Sequence, residues 1–259
     1  MKLNCDMGEA FGSWKMGLDD QIMPHIDQAN VACGFHASDP LTMSKTVALA
    51  KQHNVIIGAH PGYPDLVGFG RRNMDILPTE LKALIQYQIG ALKAICESQN
   101  TQVDYVKPHG AMYNQMMADD TILETVMAAV SELDATLPLM VGAVPEAPQI
   151  KAMAKRYGLT VWFEAFADRL YTDEGRLTPR KEPNAVHASF DLIEAQVKQL
   201  CESGTVTSGS GKTLAIYADT ICVHGDGVHA VEAVTKLRTI VDEFNRSNQS
   251  DYNSKLNKA

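Results

Sequence analysis

The sequence predicts an α/β fold, a parallel sheet closed into a (β/α) barrel of about seven units. Three observations point there. Short apolar runs alternate with segments of helical periodicity about seven times along the chain, which implies parallel strands with covering helices. No linker and no sequence repeat divides the 259 residues. The runs end, one after another, in turns that carry imidazoles, carboxylates or cations beside glycine or proline. An open doubly wound sheet is the alternative topology that the same alternation allows.

Taken in order, residues 3–7 form the first strand, leading into Gly8 and Glu9. A short helix is expected over 19–26. The second strand, 30–33, runs into Gly34, His36 and Asp39. Asp39 and Pro40 are an N-cap and a first helical residue, and that helix continues to about His53. Residues 55–59 are the third strand, stopped by His60-Pro61. The following loop, 62–73, is rich in Gly, Pro and Arg. The best-marked helix spans 78–97, where Leu81, Leu84, Ile85, Gln88, Ile89, Leu92 and Ile95 keep helical spacing. Strand four is 103–106, and a helix over 119–133 follows the polar turn after it. Strand five is 138–142, with a helix over 148–157 stopped at Gly158. Strand six is 160–164, and a long polar loop covers 167–187. The remaining elements are a helix over 190–201, strand candidates at 213–217 and 220–223, and a last helix over 226–244. Residues 1–245 read as one barrel domain, with 246–259 a polar, frayed tail.

Composition narrows the function. Of the residues, 45% are hydrophobic and 21% are charged, with a formal net charge of -8. That balance argues against nucleic acid or a polyanionic surface as a partner. Five cysteines without a C-x-x-C pair argue against a disulfide framework or a structural zinc site. The N-terminus shows no apolar signal region, and no run approaches the roughly 20 apolar residues of a membrane span. The expectation is a soluble cytoplasmic protein that does not engage a membrane.

In α/β barrels chemistry sits at the C-terminal ends of the strands. The first strand brings Asp6 and Glu9 there, the second His36 and Asp39, and the third His60, Tyr63 and Asp65 with Arg71 and Arg72 beyond. The fourth brings Lys107, His109, Tyr113 and Asn114. The sixth brings Glu164, then Asp168, Arg169 and Tyr171. The last brings His224 and Asp226. A single His or Asp at a strand end is commonly only a loop cap. Four of the eight histidines at one end of a barrel, together with several carboxylates, read instead as one site. Asp6, Glu164 or Asp226 can serve as general base, and the histidines as proton carriers near neutral pH. Lys107 and Arg169 can hold an oxyanion or a phosphate. Asp6, His36 and His60 are alternatively a mixed donor set for zinc, although no H-x-x-x-H or H-E-x-x-H spacing supports it. The run Ser208-Gly-Ser-Gly-Lys-Thr213 mimics the end of a phosphate-binding P-loop. The full pattern needs glycine at Val206 and a strand-to-helix context, so a surface loop is expected.

Together these motifs resemble the LamB/YcsF family, whose characterised members are the A subunits of bacterial ATP-dependent 5-oxoprolinase. The matching stretches are Leu3-Asn-Cys-Asp-Met-Gly-Glu9, Ala29-Asn-Val-Ala-Cys-Gly-Phe-His36, Ile57-Gly-Ala-His-Pro61, Val106-Lys-Pro-His-Gly110 with Tyr113 and Asn114, Phe166-Ala-Asp-Arg169 with Pro179 and Arg180, and Cys222-Val-His-Gly-Asp226. The resemblance implies an irregular, TIM-like (β/α)7 barrel akin to the glycoside hydrolase and deacetylase barrels. It implies opening of the 5-oxo-L-proline lactam to L-glutamate, with ATP as co-substrate, Mg expected alongside it, and subunits B and C as partners. Asp6, His60, Lys107, His109, Glu164, Arg169, His224 and Asp226 are assigned to catalysis. Glu9, His36, Tyr113, Asn114 and Arg71 are assigned to substrate binding. Two other readings share these residues: a metal-dependent deacetylase or amidohydrolase acting alone, and a non-catalytic subunit that presents a small carboxylate to partner enzymes.

Overall fold

The computed structural model describes residues 1–223 and 230–256, with side chains to residue 248. Seven parallel strands close into a barrel: β1 (Lys2–Met7), β2 (Gln28–Ala32), β3 (Ile56–His60), β4 (Tyr105–Val106), β5 (Leu139–Gly142), β6 (Val161–Phe166) and, seventh around the ring, β9 (Thr220–Cys222). β9 closes the ring by pairing Asn4 with Cys222 on one side and Glu164 with Thr220 on the other. Between β6 and β9 the chain leaves the barrel to form an antiparallel hairpin, β7 (Thr205–Thr207) with β8 (Thr213–Ala215). The 213–217 segment, expected among the strands, is therefore outside the ring. Its strand ladder is spent on β7.

Helices α1 (Asp19–Ile22), α2 (Pro40–Gln52), α3 (Pro78–Ser98), α4 (Gly110–Met116), α5 (Asp120–Asp134), α6 (Ala147–Arg156), α7 (Phe190–Ser203) and α8 (Ala230–Leu256) surround the strands. The expected 19–26 helix is α1 continued by one 3-10 turn, with Pro24 inside it. The polar turn after β4 becomes α4. The last helix was expected to stop at Phe244, but α8 runs on to Leu256. Near that expected stop, Asn245 accepts from the Met1 ammonium at 2.8 Å and donates to the Met1 carbonyl at 2.9 Å. Capping follows the sequence at α2, where the Asp39 carboxylate accepts from the Leu41 and Thr42 amides. α7 ends on left-handed Gly204 (φ 62°).

Inside the barrel the alternation of strands puts Asn4 and Asp6 on one face of β1. That face points inward, because Lys107 reaches Asn4, Asp6, Glu164 and Cys222 from across the ring. Tyr105 fills the space beneath, fully buried, with its hydroxyl donating to Asn30 Oδ1 at 2.6 Å. This ring lies against Gly58 so closely that a Cβ there would sit 2.1 Å from Tyr105 Cζ. Glycine at that strand position is a packing requirement.

Candidate active site

The floor of the site is a buried ion network. Lys107 follows β4 directly, and its ammonium lies 2.7 Å from Glu164 Oε1 and 2.9 Å from Asp6 Oδ1. It is also 3.3 Å from Asn4 Oδ1. Asn30 donates to Asn4 and Asp6, both at 2.8 Å, and Asn4 donates to Thr220 at 3.1 Å. Burial opposes charge at Lys107, but Asp6, Cys222 and Glu164 outweigh it and hold the ammonium well above the ordinary lysine range. Burial likewise opposes the Asp6 carboxylate. His60 and Lys107 overcome that and hold it well below the usual range. Lys107, expected to hold an oxyanion or a phosphate, lines the cavity with its ammonium paired to two carboxylates.

Beside this network the turns after β1, β2, β3 and β4 bring Glu9, His36, His60 and His109 together, with one donor atom of each within 4.8 Å of the others. Two amide bonds lock the β4 turn to the β3 end, Lys107 N–H to Ala59 O and His109 N–H to Pro61 O, both at 2.8 Å. Gly110 can follow His109 in the left-handed region (φ 53°) because it lacks a Cβ, which would lie 2.6 Å from the Gly70 carbonyl. His60 Nδ1 donates to the Lys107 carbonyl at 2.6 Å, and His109 Nε2 donates to the Phe69 carbonyl at 2.9 Å. Phe69 sits at φ 55°, a left-handed conformation that costs a non-glycine residue about 1–2 kcal/mol. The loop holding it is tied by Asp65, which accepts from the Gly68 amide and from Arg72. His36 and His109 stack with centroids 3.7 Å apart and planes within 3°. Burial, then the neighbouring imidazoles, pushes both well below the usual histidine range. Burial, then Asp6, pushes Glu9 up.

Of the zinc set read from the sequence, His36 and His60 belong to this cluster with Glu9 and His109. Asp6 adjoins it: Oδ1 accepts from Lys107 and Asn30, and Oδ2 lies 3.4 Å from His60 Nε2.

Above the floor is a cavity of about 1030 Å³ lined by Asp6, Glu9, His60, Lys107, His109, Tyr113, Asn114, Glu164, Arg169 and Arg71, among others. His36 lies behind it, fully buried. The Tyr113 hydroxyl and Glu164 Oε2 have no hydrogen-bond partner among the described residues and belong to the cavity wall. Burial, then Glu164, raises the Tyr113 phenol well above its ordinary value. Asn114 and Arg71 are exposed, at the rim. Arg169 is buried, and its guanidinium donates to the Ala185 and Thr178 carbonyls, so it braces the 167–187 loop as well as lining the cavity. Burial, then Arg180, lowers its pKa. The last-strand candidates His224 and Asp226 lie outside the described residues.

Sequence reasoning missed the residues that hold the site in place. Asn4, Asn30 and Tyr105 build the bed for Lys107, and the signal was an asparagine inside an otherwise apolar strand. Gln88 looked like one more position on the apolar stripe of α3. Its side chain accepts from the Gly62 amide at 2.9 Å and donates to the Gly62 carbonyl at 3.0 Å, clamping the turn after His60. The P-loop-like run is the tip of the β7–β8 hairpin, where Ser208 and Ser210 donate to Asp173 and Lys212 donates to the Asp173 carbonyl. A strand precedes it and an antiparallel strand follows, so it lacks the strand-to-helix geometry of a phosphate loop.

Similarity to known proteins agrees with this architecture. A protein of Vibrio cholerae serotype O1, named as the A subunit of 5-oxoprolinase, is 53% identical over 243 residues, covering 94% of this chain and 98% of that one. A protein of the same name from Chromohalobacter salexigens is 51% identical over 244 residues, with 94% and 98% covered. The crystal structure of a lactam utilization protein from Thermus thermophilus superposes with a TM-score of 0.86 at 37% identity, covering 94% of this chain and 96% of that chain. The LamB/YcsF family matches residues 1–254. With that match and these relatives, the chain belongs to the LamB/YcsF family.

Proposed function

We propose that this chain is the ring-opening component of an ATP-dependent 5-oxoprolinase, converting 5-oxo-L-proline to L-glutamate in complex with partner subunits B and C. The observation that carries the reading is the full-length similarity to proteins named as the A subunit of 5-oxoprolinase, joined to a cavity that suits a small anionic lactam. Its wall includes the exposed Arg71, Arg176, Arg180 and Lys181, a cationic mouth on a chain of net charge -8. Such a mouth draws a substrate carboxylate inward. Its floor carries carboxylates and imidazoles for water activation and proton transfer.

A lactam resists attack because its amide is resonance-stabilised, and coupling to ATP hydrolysis supplies the driving force. Glu164 is placed to orient the attacking water, since its Oε2 is buried without a protein partner among the described residues. Tyr113 is placed to donate to charge developing on the lactam carbonyl oxygen. Lys107 holds Glu164 and Asp6 in position. A carboxyl group that has taken the proton from water can return it to the departing ring nitrogen.

The test is glutamate and ADP formation from 5-oxoproline and ATP by the chain with and without its partner subunits. Glu164→Gln and Tyr113→Phe are expected to lower kcat by roughly 100-fold or more, in the range of a lost general base or oxyanion donor. Asp6→Asn or His109→Ala variants that kept full activity in the complex would sink this arrangement. A second reading, an amidohydrolase acting alone, is favoured by the Glu9, His36, His60 and His109 cluster. Turnover without ATP or partners would establish it.

A further inference from the structure

We propose that Glu9, His36, His60 and His109 hold one divalent ion of the zinc class. A backbone carbonyl accepts and cannot donate, so His60 Nδ1, 2.6 Å from the Lys107 carbonyl, carries a hydrogen. His109 Nε2, 2.9 Å from the Phe69 carbonyl, carries one for the same reason. In neutral imidazoles this leaves lone pairs on His60 Nε2 and His109 Nδ1, and these two atoms face each other at 2.9 Å, with Asp6 Oδ2 3.4 Å from His60 Nε2. Two facing lone pairs repel unless something positive lies between or beside them.

The surroundings identify the positive group. His36 Nε2 lies 3.2 Å from Glu9 Oε1, and Glu9 Oε1 lies 3.5 Å from His109 Nδ1. Zinc–ligand bonds of ~2.0–2.1 Å in a tetrahedron set its ligand atoms roughly 3.3 Å apart. The separations of 2.9, 3.2 and 3.5 Å bracket that edge. Ligating histidines characteristically give their other N–H to a backbone carbonyl or carboxylate, as His60 and His109 do here. A shared proton would satisfy His60 and His109 alone and give His36 and Glu9 no part. Three imidazoles with one carboxylate favour zinc, cobalt or nickel over magnesium, which takes oxygen ligands and keeps its waters. The ion is thus distinct from any Mg that accompanies ATP. The site rests on donor geometry and stands whether or not the substrate is a lactam.

The experiment uses the full chain without a histidine tag, stripped with chelator and dialysed separately against zinc, cobalt or magnesium. Metal content by mass spectrometry is expected at one zinc or cobalt per chain and none for magnesium. The cobalt form is expected to show the visible bands of a low-coordinate nitrogen–oxygen site. His36→Ala and His109→Ala should lose the ion, and His109→Cys, which keeps a zinc-class donor, should retain it. His25→Ala and His53→Ala, away from the cluster, should keep full content. Circular dichroism checks that each variant is folded, and His109→Cys carries the test where an alanine variant is not. A metal-free wild-type chain after loading, or unchanged content in folded cluster variants, overturns the site. A metal-free chain that still makes glutamate would remove the site and leave the proposed function. An ion-bound chain inert toward 5-oxoproline with its partners would do the reverse.

Discussion

Lys107 sits between Asp6 and Glu164, its ammonium 2.9 and 2.7 Å from their oxygens. It is the counter-ion of the buried Glu164 carboxylate and of the partly buried Asp6. Removing one member of such a network leaves uncompensated charge in the interior, which costs about 3–5 kcal/mol. Lys107→Met is expected to lose that much in urea unfolding. Lys107→Met combined with Glu164→Gln should recover part of it, since only one buried carboxylate then lacks its partner. Equal stability of the single and double variants would argue against the network. The place was legible because the polar turn broke an apolar strand. The role was not, because Asp6 and Glu164 lie far away in sequence, on the first and sixth strands, and pair with Lys107 only through barrel closure.

At the scale of elements, α2 and the β7–β8 hairpin make opposite cases. α2 was legible from Asp39 and Pro40, and the structure adds that Asp39 also accepts from the Gly12 amide at 3.0 Å, tying the loop after β1 to the helix. The Thr42 hydroxyl, then the Gly12 amide, lower the Asp39 pKa to about 2. A folded value below the unfolded one stabilises the protein above about pH 4, and that stability fades as pH falls from about 4 toward 2. Asp39→Ala is expected to cost about 1 kcal/mol at neutral pH and to flatten that part of the acid-unfolding curve, read by circular dichroism. The hairpin was half legible: its lysine-bearing turn was set apart from a P-loop, but its strand partner was missed because a three-residue strand carries no periodicity. Lys212→Ala is expected to leave ADP and glutamate formation in the reconstituted complex within about twofold of wild type, as surface changes away from a site do. A loss well beyond that would make the turn a nucleotide site after all.

For the whole molecule, closure of the ring by β9 and its fastening by α8 are what give the site its shape. Asp27 ties β1 to α8 at the opposite end: its Oδ2 accepts from the Leu3 amide and from Arg238 on α8, both at 2.7 Å. Asp27→Ala leaves two donors without that acceptor and is expected to lower stability by about 1–3 kcal/mol in thermal or urea unfolding. With the catalytic end untouched, kcat of the folded fraction should not change. Loss of activity without loss of stability would mean that the two ends of the barrel communicate.

The class of fold, the number of strand–helix units and the clustering of polar side chains at one barrel end are legible along the chain. These depend on local periodicity, capping and strand-end composition, all written within a few residues of one another. Which of those groups pair depends on closure of the barrel. The fold seats Lys107 between Asp6 and Glu164 and gathers Glu9 and His109 beside His36 and His60. Asn4, Asn30, Tyr105 and Gln88 hold the others in place. The physical reason is that hydrogen bonds and ion pairs act over about 3 Å, and only barrel closure sets which side chains come that near.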